Sequence, residues 1–180
     1  MDGAESDEAL VVRCRRGDAG AFRTLIERYE RPLYNAAYRV LGNADDARDV
    51  AQAAFVEVAE KLDGYDPSHR FFSWIYRIAV NRALNLLRAK GREQALLDLP
   101  RPPSGDPETR AAASELADRV QRALMTMSEH DRVVLTLRHF SGCSYREIGE
   151  VLDVEEKTVK SRLFEARQRL RVSLRDLAGE

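Results

Sequence analysis

Four of the six prolines of this 180-residue chain crowd into one short stretch, as Pro100, Pro102, Pro103 and Pro107, with Gly105 among them. Proline lacks the amide donor that a helix interior needs and its ring clashes with the preceding turn, so no helix runs through this stretch. From Glu93 to Thr109 the apolar periodicity is also lost, and the acids Glu93, Asp98, Asp106 and Glu108 face Arg101 alone. Residues 93–110 therefore read as a mildly acidic flexible linker. It divides the chain into an N-terminal part, 1–92, and a C-terminal part, 111–180, each of which has to build a core.

Both parts show helical spacing, and alternating β-branched runs bounded by turns are missing, so the expected fold class is all α, two small helical domains. In the first part a short helix after Ser6 ends at Gly17. Asp18 caps a second, with Phe22, Leu25 and Ile26 on one face and a kink or restart expected at Pro32. Gly42 stops it. Asn43 caps a third helix to about Lys61, with Asp45 and Asp46 in the first turn, where the helix dipole favours negative charge. Asp63 to Pro67 is a loop, and a fourth helix runs from about Arg70 to Lys90. In the second part Leu116, Val120, Leu124 and Met127 form a core stripe on a helix starting near Ala111. Ser128 caps the next, which ends before Gly142. Ser144-Tyr145-Arg146-Glu147 has the form of a capping box opening a brief helix. A turn of about three residues then leads to a long basic helix ending near Asp176, with Val159, Leu163, Ala166, Leu170 and Leu174 on its buried face. Glu155 is a poor N-cap for it. A short capped helix, a tight turn and a basic helix make a helix-turn-helix, whose second helix usually enters the DNA major groove.

Composition excludes several classes. Hydrophobic residues at 44% and charged residues at 33% suit folded helical domains rather than a disordered chain. No run approaches the roughly 20 apolar residues of a membrane span. The acidic start Met1-Asp2-Gly3-Ala4-Glu5 does not resemble a signal peptide, so a cytoplasmic protein with reduced Cys14 and Cys143 is expected. Glycine-rich phosphate loops, nucleophile elbows and metal-binding clusters are all missing, so neither an enzyme nor a cofactor or metal site is expected. His139 and Cys143, four apart, have no second pair to complete a metal site.

The net charge of −1 conceals strong alternation. Between Leu41 and Asp66 seven acids (Asp45, Asp46, Asp49, Glu57, Glu60, Asp63, Asp66) meet Arg48 and Lys61, a net −5. Between Pro67 and Arg92 the six cations Arg70, Arg77, Arg82, Arg88, Lys90 and Arg92 meet no acid, a net +6. From Lys157 to Arg175 seven cations meet only Glu165, again +6. Acidic residues repel nucleic acid, so the first stretch suits a basic protein partner through Asp45, Asp46, Asp49 and Gln52, or is simply a solubilising face. In the second, Arg77, Asn81, Leu84 and Arg88 form one stripe beside Phe71, Phe72, Trp74 and Tyr76. Rings next to cations suit unpaired bases, at about 1–3 kcal/mol per stacked base, although such a cluster also reads as core. In the third, Lys157, Ser161, Phe164 and Gln168 point away from the apolar face with Lys160 and Arg171 flanking; Lys157, Lys160 and Ser161 lie in the first turns, which reach base edges, and Arg167 and Arg171 suit phosphates. Exposed Phe164 would meet a thymine methyl or a sugar in the groove; a solvated basic face is the alternative.

The series Asp49-Val50-Ala51-Gln52, Tyr65-Asp66-Pro67 and Phe71-Phe72-Ser73-Trp74-Ile75-Tyr76-Arg77-Ile78-Ala79-Val80-Asn81 resembles region 2 of the extracytoplasmic-function sigma factors of bacterial RNA polymerase. Ser144-Tyr145-Arg146-Glu147-Ile148-Gly149 with Lys157-Thr158-Val159-Lys160-Ser161-Arg162-Leu163-Phe164 resembles their region 4. The resemblance implies a two-domain, non-enzymatic specificity subunit that directs core polymerase to promoters and assists strand opening. It implies partners: the β′ clamp helices for Asp45, Asp46, Asp49 and Gln52, the β flap, promoter DNA and an anti-sigma factor. It assigns the −10 strand to Ser68, His69, Arg70, Trp74, Arg77, Asn81 and Arg88, and the −35 duplex to Arg146, Lys157, Lys160, Ser161, Phe164, Arg167 and Arg171. The linker would thread toward the RNA path. On the residues alone, a free-standing helix-turn-helix regulator and an all-helical adaptor are the rival readings.

Overall fold

The computed structural model describes residues 5–97 and 115–176, so the expected linker, apart from its first five residues, lies outside the described residues. No strand occurs among those described. The helices are α1 (Asp7–Arg15), α2 (Ala19–Leu41), α3 (Ala44–Lys61), α4 (Phe71–Leu97), α5 (Glu115–Met125), α6 (Glu129–His139), α7 (Tyr145–Leu152) and α8 (Glu156–Asp176), with one 3-10 turn at Leu62–Gly64. The fold is all α, in two lobes: α1–α4 and α5–α8.

Local chemistry sets most helix starts. Ser6, Asp18, Asn43, Ser128 and Ser144 each accept a first-turn amide through a side-chain oxygen, satisfying donors that would otherwise be orphaned, at about 1 kcal/mol per cap. Gly42 ends α2 in the left-handed conformation, φ 72°. Two expectations about helix extent are corrected. α2 does not restart at Pro32: the proline is exposed, where the carbonyl deprived of its donor can be hydrated, and buried Tyr29, Leu33, Ala36 and Ala37 hold both halves in one helix. α4 continues past Lys90 through Gly91 to Leu97, so residues 93–97 are helical.

In the first lobe Leu25, Leu33, Ala47, Ala54, Val58, Phe71 and Ile75 are fully buried between α2, α3 and α4. Leu84 belongs to this core, 8% exposed, and not to an outward stripe. In the second, Leu124, Val133, Leu135, Ile148, Val159, Leu163 and Ala166 form the core. Leu116 does not join them. It is 67% exposed on the described part of α5.

The lobes pack on each other. Ala36, Ala37 and Val40 of α2 and Tyr76, Ala79, Val80 and Ala83 of α4 converge on Val133, Thr136 and Leu137 of α6. Beside this apolar seam the Gln121 amide donates to the Tyr38 carbonyl and its oxygen accepts from Arg39 Nη1, both at 3.2 Å. The Arg39 guanidinium stacks 4.4 Å from the Phe140 ring.

Candidate nucleic-acid interface

The second lobe carries a complete helix-turn-helix in α7, residues 153–155 and α8. Ser144 and Glu147 close a reciprocal capping box, with the Glu147 carboxylate accepting from the Ser144 amide at 2.8 Å. Burial pushes the Glu147 carboxyl up, but the bonds from Ser144 and the nearby cations Arg70 and Arg146 win, leaving it below its ordinary range. α7 ends on Asp153 in the left-handed region, φ 55°, and the Val154 amide returns to the Gly149 carbonyl at 3.0 Å. Gly149 is required here for space: a Cβ would stand 2.7 Å from the Val154 carbonyl oxygen.

That turn fixes how α8 presents itself. Val159, Leu163 and Ala166 are buried, while Lys157, Lys160, Ser161, Phe164, Gln168 and Arg171 are exposed, Phe164 at 64%. Lys160 bonds to Glu156 at 2.7 Å, one turn back, and that bond raises its pKa above the ordinary lysine value. Arg167 donates to His139 Nε2 at 3.3 Å, and Arg146 pairs with Glu150 at 3.1 Å. At the far side Arg169 holds buried Asp131 through both carboxylate oxygens, at 2.8 and 2.9 Å, tying α8 to α6.

The first lobe's aromatic cluster resolves into core and rim. Phe71, Ile75 and Tyr76 are buried; Trp74 is half-buried and packs 5.0 Å from the Tyr65 ring. The loop before α4 is braced from two sides. Arg15 of α1 donates to the carbonyls of Leu62, Asp63 and Tyr65. The Tyr65 hydroxyl donates to the His69 carbonyl, and burial pushes that phenol up to about 12. Asp66 accepts from the Ser68 amide at 2.8 Å, which lowers its carboxyl. Ser68, His69 and Arg70 are thus exposed on a constrained loop, and exposed Arg77, Asn81 and Arg88 follow at increasing distance along α4. A cleft of about 690 Å³ lies between this loop and the helix-turn-helix, lined by Tyr65, His69, Trp74, Arg77, Arg146 and Glu150 among others.

On α3, Asp49 and Gln52 are exposed, whereas Asp45 pairs with Arg48 and Asp46 with Lys90. Glu57 bridges Lys61 and Arg82, both at 2.7 Å. Gln52 borders a groove of about 480 Å³ formed with Ile26, Tyr34, Ala51 and Phe55. Sequence reasoning missed this groove, though Ala51 and Phe55, four apart beside Gln52, carried its signal. It also missed Glu147, Glu150 and Asp153, which meet Arg70, the Ser73 hydroxyl and Arg77 of the first lobe, respectively.

Among the described residues no cluster of three or more His, Cys, Asp or Glu is placed to hold a metal, and no helix is long and apolar enough to cross a membrane. Cys143 is buried, which pushes its thiol up to about 12, while His139 is exposed.

Residues 25–93 match the family described as Sigma-70 region 2, and residues 117–170 that described as Sigma-70, region 4. The RNA polymerase sigma-H factor of Pseudomonas aeruginosa is 33% identical, with 98% of this chain and 97% of that protein covered. The ECF RNA polymerase sigma-E factor of Escherichia coli is 34% identical, with 91% of each covered. The ECF factor SigW of Bacillus subtilis is 31% identical, covering 93% of this chain and 96% of that one. Among solved structures, CnrH in complex with the cytosolic domain of CnrY superposes with a TM-score of 0.72 at 26% identity, covering 96% of this chain and 99% of that one. The Bartonella quintana sigma factor RpoE in complex with the anti-sigma factor NepR shares the fold, TM-score 0.73 at 24% identity over 86% of this chain and 96% of that one. With both regions present in the family's order, the chain belongs to the sigma-70 family of RNA polymerase sigma factors, in its extracytoplasmic-function class.

Proposed function

We propose that this sigma factor acts in the cytoplasm as a non-catalytic specificity subunit, with three surfaces assigned to three tasks. Residues 111–180 bind the −35 element as duplex. Lys160, Ser161 and Phe164 meet base edges, while Lys157, Arg167, Arg171 and Arg146 meet phosphates. Residues 1–92 bind core polymerase and the opened −10 strand. The braced loop at Ser68, His69 and Arg70, with Trp74, Arg77, Asn81 and Arg88, receives unpaired bases. Gln52, at the lip of the groove on α2 and α3, and exposed Asp49 engage the β′ clamp helices; Asp45 and Asp46 contribute field through their ion pairs rather than free charge. Residues 93–110 tether the two lobes, and the β flap engages the second. The relatives solved with CnrY and NepR support control by an anti-sigma factor.

The observation that carries the reading is the outward face of α8. A helix that buries Val159, Leu163 and Ala166 also turns a large aromatic ring, Phe164, into solvent among cations, an arrangement suited to an apolar group inside a negatively charged groove. A dimeriser's or adaptor's helix needs no such combination. The test is run-off transcription with core polymerase on a duplex promoter library: transcripts should start at a defined subset of templates only when this chain is added. Start sites no more selective than with core polymerase alone refute the reading.

A further inference from the structure

From Lys157 to Arg175 every charged side chain is a cation except Glu165. This acid lies on the outward face of α8. It stands one turn beyond Ser161 and adjoins Phe164, so it shares the face assigned to base edges, about 6 Å further along the helix axis than Ser161. Its side chain is 57% exposed. A carboxylate at this place cannot serve as a backbone contact, because DNA phosphates repel it.

Nor is Glu165 a loose surface acid. Arg169, one turn further on, donates from Nη2 to Glu165 Oε2 at 3.1 Å, while its Nη1 donates to both oxygens of Asp131 at 2.8 and 2.9 Å. Asp131, in the first turn of α6, is 9% exposed. One acid therefore anchors the guanidinium to the body of the lobe, and the guanidinium holds the other acid, a planar fork that a lysine cannot reproduce. Among the described residues Glu165 Oε1 has no partner of its own. An ionised carboxylate can only accept hydrogen bonds. In the major groove guanine offers the acceptors N7 and O6, thymine the acceptor O4, and adenine an N6 donor beside the acceptor N7. Cytosine alone offers a donor, its N4 amino group, with no acceptor next to it.

We propose that Glu165 reads a cytosine in the −35 duplex by accepting from its N4 amino group, with Arg169 and Asp131 as the residues that position the carboxylate. This rests on the assignment of α8 to the duplex. The acid lowers affinity, since it opposes the attraction of the surrounding cations for phosphate, and raises discrimination. Any other base at that pair sets an acceptor against a carboxylate that has lost its water.

The test uses the full chain bound to core polymerase and a promoter recovered by run-off transcription, remade as a duplex library randomised across its upstream element; bound duplexes are separated and sequenced. The parent should favour cytosine at one pair by about tenfold over the other bases. Glu165→Ala should abolish that preference and keep those at the other pairs. Glu165→Gln should admit adenine there, since an amide both accepts from N6 and donates to N7. Arg169→Lys keeps Asp131 paired but lacks the fork, so it should weaken the cytosine preference at the same pair; no change removes Arg169 and Asp131 from the proposal. Preferences that Glu165→Ala leaves intact, or reduces alike at every pair, overturn the proposal, because an acid that only braces the helix through Arg169 gives one of those two results. Lys160→Ala tests the underlying assignment separately. If it alters selection at a pair of its own while Glu165→Ala alters none, α8 reads the duplex without Glu165; if neither alters selection, α8 is not the reading helix.

Discussion

Gly149→Ala tests whether the helix-turn-helix geometry is as tight as described. In an unobstructed helix the change should help, since alanine is favoured over glycine by about 1 kcal/mol. Here the new methyl would sit 2.7 Å from the Val154 carbonyl oxygen. That carbonyl cannot swing away cheaply. The Val154 and Asp153 amides both donate to the Gly149 carbonyl, and the next residue but one begins α8. Relief therefore requires α7 and α8 to part by several tenths of an ångström, an overpacking cost of about 1–3 kcal/mol. Gly91 supplies the control: it lies in α4 with nothing within 4 Å of a Cβ. The propensity gain is common to both substitutions and cancels in the comparison. Urea unfolding should place Gly149→Ala about 1–3 kcal/mol below Gly91→Ala, which for a chain of this size separates the melting temperatures by roughly 2–12 °C. Duplex binding should fall further than stability does, because parting the helices moves Lys160 and Ser161 relative to the backbone contacts of α7. Equal stabilisation by both substitutions would refute the close approach on which the presentation of α8 depends.

Lys160→Ala should weaken binding to a −35 duplex by about 1–3 kcal/mol and relax base preference there, read by fluorescence anisotropy on single-substituted duplexes, while leaving association with core polymerase unchanged. Asp49→Ala with Gln52→Ala should do the reverse, lowering affinity for core polymerase in a pull-down titration and sparing duplex binding. Glu57 supplies a pH dependence. Hydrogen bonds from Lys61, and then from Arg82, hold its folded carboxyl below the ordinary range despite partial burial. Its contribution is therefore complete above the unfolded value of about 4.3 and disappears as pH falls through the lower folded one. Between pH 5 and about pH 3 the urea midpoint should drop more steeply for the parent than for Glu57→Gln; parallel curves would remove Glu57 from the account.

What was legible in the sequence is what local chemistry decides. A capping serine or aspartate acts on an amide two or three residues away, and a helix's buried face repeats every three or four, so Ser6, Asp18, Asn43, Ser128, the Ser144 box and the α8 face could all be read without a neighbour in view. Where packing outweighs propensity the reading fails. Pro32 should interrupt α2, but buried residues on both sides of it hold the helix together, and Leu116 has the right spacing for a core it never reaches. Glu147 shows why the candidate site was only half visible. One carboxylate oxygen serves the capping box that the sequence predicts, and the other reaches Arg70, 77 residues away, which no local pattern encodes.

The same point changes what the charge runs mean. Counted along the chain, residues 67–92 carry cations with no acid among them, which looks like a surface waiting for phosphate. In three dimensions Lys90 is held by Asp46 and Arg82 by Glu57, both from the acidic helix α3, while Arg70 and Arg77 are held by Glu147 and Asp153 from the other lobe. The first two pairs lie within one lobe. They belong to the fold, and the acids in them do not compete for a partner. The last two bridge the lobes. Charge available to DNA from this stretch is thus smaller than the count along the chain, because four of its six cations already face carboxylates.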